Sequence, residues 1–214
     1  MTIDPDKLAH RNIKLDQSRY GISLVAFFKE DYGFLDYKNR ISEFVESEIP
    51  GCVRWIDNNK LHSTIIRGRS SPKRFDTAST CFKSVTNLLS HISAFDIKCS
   101  IPILHSDGVL RIEISDQRLL GSMTNAIRDE MERCCNLRIE TQNSHWVALG
   151  TIKYINLEQA NNFKIKSSDL FQDNFQAKYS SKVSDLKIVY YEDVEFKKYS
   201  VLEKIELKRN VCAR

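Results

Sequence analysis

Twice along this chain an apolar strand, an amphipathic helix and a short second strand lead into a strand that opens on a histidine, and this order limits the fold more than any other feature. The first passage starts at Tyr20–Phe28, rich in β-branched and aromatic residues as a buried strand requires. Leu35, Ile41, Phe44, Val45 and Ile49 then recur near helical spacing until Pro50-Gly51 ends the helix. A strand Val53–Ile56, a turn at Asp57-Asn58-Asn59 and a strand opening at His62 complete the unit. After a basic loop, a helix is expected over Phe75–His91 and a pair of strands over Ala94–Leu104 and Val109–Ile114, joined at Ser106-Asp107-Gly108. Leu119, Leu120, Met123, Ile127 and Met131 mark a long helix, Leu137–Glu140 a short strand, and His145 the mouth of the next.

The rest of the chain adds less. Residues 1–18 are polar and read as an arm over the domain, Asn156–Ser184 as a helix followed by a loop, and Leu186–Tyr191 with Val201–Leu207 as a closing hairpin. The chain, residues 1–214, is expected to form a single α+β domain of two pseudo-equivalent lobes.

In an extended segment successive side chains alternate between faces, so His62 and Thr64 share one side and Ser63 takes the other. One imidazole and one hydroxyl then look into the same space. At the second passage, NSHWVALGTIKY, the same alternation groups His145 with Val147 and Leu149 and turns Trp146 away, which reads as packing beneath the sheet. Asn143 falls on the His145 side.

Composition excludes several classes of function. A formal charge of +4 suits anionic ligands but falls short of the basic clustering of a dedicated duplex-DNA binder. The six cysteines show no C-x-x-C pair, so neither a zinc cage nor a disulfide framework is indicated, and reduced thiols in a cytosol are expected. No apolar run approaches membrane-spanning length. There is no Gly-rich phosphate loop, no H-E-x-x-H and no carboxylate cluster at metal spacing, so no cofactor and no metal are expected.

Taken with their order, VRWIDNNKLHSTIIRG, NSHWVALGTIKY and the terminal KKYSVLEKIEL resemble the two-histidine (2H) phosphoesterase superfamily, which includes RNA 2′,3′-cyclic phosphodiesterases and 2′,5′-RNA ligase-like proteins. The resemblance runs from about Tyr20 to Leu207. It implies a bilobal α+β fold with antiparallel-rich sheets around a cleft, and an H-x-[ST]-hydrophobic motif on a strand of each lobe. Carried over, it makes His62 and His145 catalytic and Thr64 a phosphate ligand, with Val147 where the family has serine or threonine. Thr151, about 20 Å from His145 at roughly 3.3 Å per residue, cannot supply the missing hydroxyl.

Two imidazoles facing one cleft would suit acid–base catalysis on a phosphodiester without metal, one ring taking a proton and the other giving one. Which histidine plays which part is open. Thr64 would donate to a nonbridging phosphate oxygen as charge develops there. Arg67, Arg69, Lys73 and Arg74 are candidates to steer an anion, with Arg67 nearest the motif. Tyr20, Trp55 and Trp146 are aromatic candidates for substrate contact, and core packing is the competing reading for each. His10, His91 and His105 lack a hydroxyl partner at the same spacing and read as structural or exposed.

Three functions follow. The first is a metal-independent phosphodiesterase acting on RNA ends, 2′,3′-cyclic phosphates or small cyclic or 2′,5′-linked nucleotides. The second is a nucleotide- or RNA-binding module on the same fold that has lost turnover. The third is an unrelated interaction protein whose histidines never meet. The first two imply a cytoplasmic monomer with a nucleotide or RNA partner.

Overall fold

The computed structural model describes residues 2–16, 21–69, 78–114, 117–135, 138–140, 144–175, 179–193, 196 and 198–208. Its first strand β1 (Gly21–Phe27) is buried along six of seven residues, as a run apolar at all but Ser23 favours. Helix α2 (Tyr32–Glu48) follows, capped by Asp31, whose carboxylate accepts from Phe34 N at 3.0 Å. The same carboxylate accepts hydrogen bonds from Tyr179 Oη and Ser181 Oγ, tying the start of α2 to a strand from the far end of the chain. Strand β2 (Val53–Trp55), a 3-10 turn at Asn58–Lys60 and β3 (His62–Arg69) complete the first passage.

The second passage comprises α3 (Ala78–Leu89), β4 (Phe95–Leu104), β5 (Val109–Ile114), α4 (Gln117–Cys135), β6 (Arg138–Glu140) and β7 (Trp146–Ile152). Helix α5 (Leu157–Asn174), then β8 (Ser180–Val183), β9 (Asp185–Tyr191) and β10 (Tyr199–Glu206) close the chain. The expected strands and helices are present with ends moved by a few residues, and β9 and β10 form the expected antiparallel hairpin.

All ten strands join one sheet in the order β10-β9-β1-β3-β7-β5-β4-β8, with β2 added to β7 and β6 to β3, and every pairing is antiparallel. The sheet curls. Lys208, just past β10, bridges Ser93, just before β4, through Ala94 N to Lys208 O at 2.7 Å and Lys208 N to Ile92 O at 2.9 Å. The histidine-led strands β3 and β7 are neighbours at its centre.

The two faces of the sheet differ. One packs against the helices and carries the large core, with Leu24, Ala26, Ile66, Ile112, Val147 and Leu149 among its members. Aromatic rings of α2 and α5 interlock there, Phe44 meeting Phe171 and Phe175, and α3 packs on α4. The other face carries a small cluster of Val25, Val189, Tyr191 and Phe196, with Phe27 and Tyr199 beside it.

Two segments depart from expectation. Residues 5–16, read as part of a polar arm, form helix α1 (Pro5–Asp16), anchored by fully buried Leu8, with buried Ile3 just ahead of it. Leu8 sits over the β4–β5 turn at Gly108, whose φ of +79° needs glycine; a Cβ there would lie 2.4 Å from Leu8. The scattered apolar residues of this charged segment give little periodic signal, although Ile3 and Leu8 suffice to seat a helix. Strand β8 falls where a loop was expected, because SSKV alternates over only four residues and takes its order from the ladder to β4.

Candidate functional site

The first motif sits at the start of β3, where the turn at Asn58–Lys60 delivers it. His62 is partly buried, and its Nδ1 lies 2.8 Å from Lys60 O. A carbonyl only accepts, so Nδ1 carries the hydrogen and the neutral ring keeps its lone pair on Nε2. Phe27, directly across on β1, stands 5.8 Å from the ring, and Phe196 from the β9–β10 connection covers it at 4.0 Å. Burial in this aromatic pocket pushes His62 down to about 4; the Lys60 carbonyl works against the shift and the charge of Arg67 adds to it. His62 is therefore neutral at physiological pH.

A bulge in β3 sets what surrounds it. Val25 pairs with Thr64 and Leu24 with Ile66, leaving Ile65 as the extra residue. The bulge rephases the alternation, so Arg67, opposite Ser23, comes to the face of Thr64 and His62. Thr64 is 8% exposed there.

The second motif lies differently. Ser63 pairs with Val147, and both are 0% exposed. Residues directly opposed in an antiparallel pair point to the same face, so Val147 goes with Ser63 into the helix-covered core. Trp146 and Ala148 then share the face of His62 and Thr64. The pairing of β7 with β5 agrees: Val147 faces core residue Ile112, while Trp146 and Ala148 oppose Glu113 and Arg111. This corrects the reading from sequence. Alternation did separate Trp146 from His145 and Val147, but it is Trp146 that looks toward His62, and it does not pack beneath the sheet.

His145 precedes β7 and falls by the same alternation on the core side, 3% exposed. Its Nδ1 lies 3.1 Å from Thr64 O, and its own carbonyl accepts from Ile114 N at 2.9 Å. Burial lowers its pKa, the bond to Thr64 opposing. The imidazole thus closes a gap between β3 and β7 where the ladder between these strands is a single pair. The two histidines attach to the same strand without sharing a face.

Arg111 and Glu113 escaped the reading from sequence. The Arg111 guanidinium lies 5.3 Å from the Trp146 ring centroid, and its Nη2 donates to Glu113 Oε1 at 2.9 Å. The signal was present in VLRIEI, where two charges alternate with buried aliphatic residues, a pattern that puts both on the polar face of a half-buried strand.

The other candidates divide. Tyr20, Lys73, Arg74 and Asn143 lie outside the described residues, as does the side chain of Arg69. Trp55 donates to Glu46 Oε1 at 2.6 Å, on the first turns of structure leading to β3, and serves packing. His10 and His91 are exposed, and His105 meets Asp107 at 3.1 Å in the β4–β5 turn. Among the described residues no group of three or more His, Cys, Asp or Glu converges as metal ligands would, and no helix is long and apolar enough to cross a membrane. Cys52 and Cys99 are buried free thiols.

The face centred on Ala148 thus carries a neutral imidazole able to accept a proton, a hydroxyl able to donate to an anionic oxygen, and a guanidinium. That set can hold a phosphate group and, at Nε2 of His62, take a proton from a neighbouring hydroxyl.

No family model matches this sequence, and no curated protein sequence does. Solved structures do match. A crystal structure of a phosphoesterase aligns over 88% of this chain and 98% of its own with a TM-score of 0.54 at 12% identity. The TT0787 protein of Thermus thermophilus aligns over 89% and 99% with a TM-score of 0.59 at 11% identity. Escherichia coli LigT complexed with 3′-AMP aligns over 89% and 99% with a TM-score of 0.54 at 11% identity. The mixed helices and the curled antiparallel sheet match these neighbours, and the chain has the LigT-like phosphoesterase fold.

Proposed function

We propose that this protein binds the phosphodiester or phosphate group of a nucleotide or RNA on the face formed by β3, β7 and β5, within a single bilobal domain. Its phosphate grip is built from His62 and Thr64, with Arg67 steering the anion from the same strand. The observation that carries the reading is the Ser63–Val147 register, which gives the second motif's inward positions to Trp146 and Ala148. Ala148 offers no hydroxyl and Trp146 no titratable nitrogen, so the face has half of a symmetric two-histidine site. The reported complex of E. coli LigT with 3′-AMP, on the same fold, supports a nucleotide as the ligand class.

A second reading keeps metal-independent phosphodiester cleavage with His62 as base and His145 as acid. The bond from His145 to the Thr64 carbonyl favours it, because it holds that imidazole against the strand of the first motif.

One experiment separates the two. Purified protein in EDTA is titrated with 3′-AMP and incubated with 2′,3′-cyclic nucleotides and 2′,5′-linked oligonucleotides. Binding without product supports the first reading. Product formation that is lost in both His62→Ala and His145→Ala supports the second. No binding and no product overturns both.

A further inference from the structure

We infer that Arg111 is the phosphate-binding group of the second wall, standing in for the missing second half of the grip, and that Trp146 and Glu113 position it. The inference rests on the proposed ligand face.

Across the sheet, His62, Ala148 and Arg111 fall on one row: Ser63 pairs with Val147, so Ala148 opposes His62, and Ala148 pairs with Arg111. Neighbouring strands lie about 4.8 Å apart, so His62 and Arg111 rise from backbones about 10 Å apart over a floor made by a methyl group. An imidazole and a guanidinium at that spacing close on an object the size of a phosphate. A side chain larger than alanine at position 148 would fill the space between them.

The guanidinium is held and incompletely bonded. Its side chain is 13% exposed, its Nη2 is engaged by Glu113, and the Trp146 ring lies beside its plane. Its Nε is buried and makes no hydrogen bond. A buried charged donor without a protein partner is costly, and an oxygen of a bound phosphate would satisfy it. Arginine's planar fork suits two oxygens of a phosphate better than a point charge does. The Trp146 surface nearest Arg111 is occupied by the guanidinium, so the indole orients Arg111 on that side and does not stack a base there. Glu113 keeps the fork turned along the face and neutralises it when no anion is present.

The ligand class is accordingly a nucleotide whose phosphate lies between β3 and β5. The probes are 3′-AMP, adenosine and inorganic phosphate, measured by calorimetry on wild type, Arg111→Gln, Arg111→Lys, Glu113→Gln and His62→Ala, each checked for folding by thermal melting. For Arg111→Gln we expect 3′-AMP affinity to drop at least tenfold while adenosine binding is unchanged. Arg111→Lys should recover only part, and Glu113→Gln should bind 3′-AMP more tightly than wild type. A lower salt dependence in Arg111→Gln should accompany the loss. The proposal for Arg111 is overturned if Arg111→Gln and Glu113→Gln melt earlier but bind 3′-AMP as wild type does, with His62→Ala still impaired. Failure of wild type to bind either 3′-AMP or phosphate overturns the ligand face itself and Arg111 with it.

Discussion

The strands β3 and β7 meet at a single residue pair, and the contrast between them holds the lesson of this molecule. On β3 a histidine, a threonine and, after a bulge, an arginine reach one face. Just before β7 a histidine sits one residue too early for that face, and on the strand a tryptophan and an alanine occupy the inward positions. Both strands open on an imidazole whose Nδ1 meets a backbone carbonyl and whose pKa is lowered by burial. Similar local chemistry thus arises in two places, and the strand register decides which copy lies on the proposed ligand face.

Matched substitutions on the two strands separate their roles. The largest effect is expected from His62→Ala, which should abolish phosphodiester turnover if any is present and weaken 3′-AMP binding at least tenfold, or about 1.4 kcal/mol. His145→Ala should leave 3′-AMP binding within twofold and instead lower the melting temperature, since it leaves the Thr64 carbonyl without its partner and opens a hole between the strands. Equal losses of affinity from the two would show that both histidines border the ligand.

Hydroxyls placed at neighbouring positions come next. Val147→Thr buries a hydroxyl in the helix-side core, where we expect a loss of about 1 to 3 kcal/mol in chemical denaturation and no gain in ligand binding. Ala148→Thr puts the same hydroxyl on the ligand face. It should leave stability nearly unchanged and lower 3′-AMP affinity by a few-fold, because it fills the space between His62 and Arg111. A gain in binding or turnover from Val147→Thr would show that Val147 faces the ligand after all.

The pH dependence distinguishes the regions more gently. A histidine held below its unfolded value binds fewer protons when folded, so His62 adds to stability above about pH 6.5 and that contribution fades as pH falls toward about 4. Any activity that needs neutral His62 should persist well below pH 6.5. Phe196→Ala uncovers the ring and should move its titration up toward the ordinary histidine value, read by NMR of the imidazole. A titration that stays near 4 without Phe196 would assign the burial to other neighbours.

How far these features could be read from sequence follows from the range of the forces behind them. Strand and helix positions depend on local periodicity, and the order from β1 to β7 was legible for that reason, as were His62 and Thr64 as one-faced neighbours. Alternation within β7 was legible too. Which of its faces met β3 was not, because that is fixed by the Ser63–Val147 pairing between residues 84 positions apart and by bulges at Ile65 and Leu149. Phe196, with φ of +57° and a ring over His62, comes from a connection whose sequence gave no sign of reaching the motif. Arg111 was missed for a simpler reason: a charged residue in an alternating strand reads as solvated until its neighbour across the ladder is known.

On the proposed ligand face His62 and Trp146, and not His145, border the bound nucleotide. NMR spectra of protein with labelled histidine and tryptophan side chains, recorded during titration with 3′-AMP, test it most directly. Large shifts are expected for the His62 ring and the Trp146 indole with little change at His145; a His145 shift as large as that of His62, with Trp146 unmoved, would put the ligand on the other face.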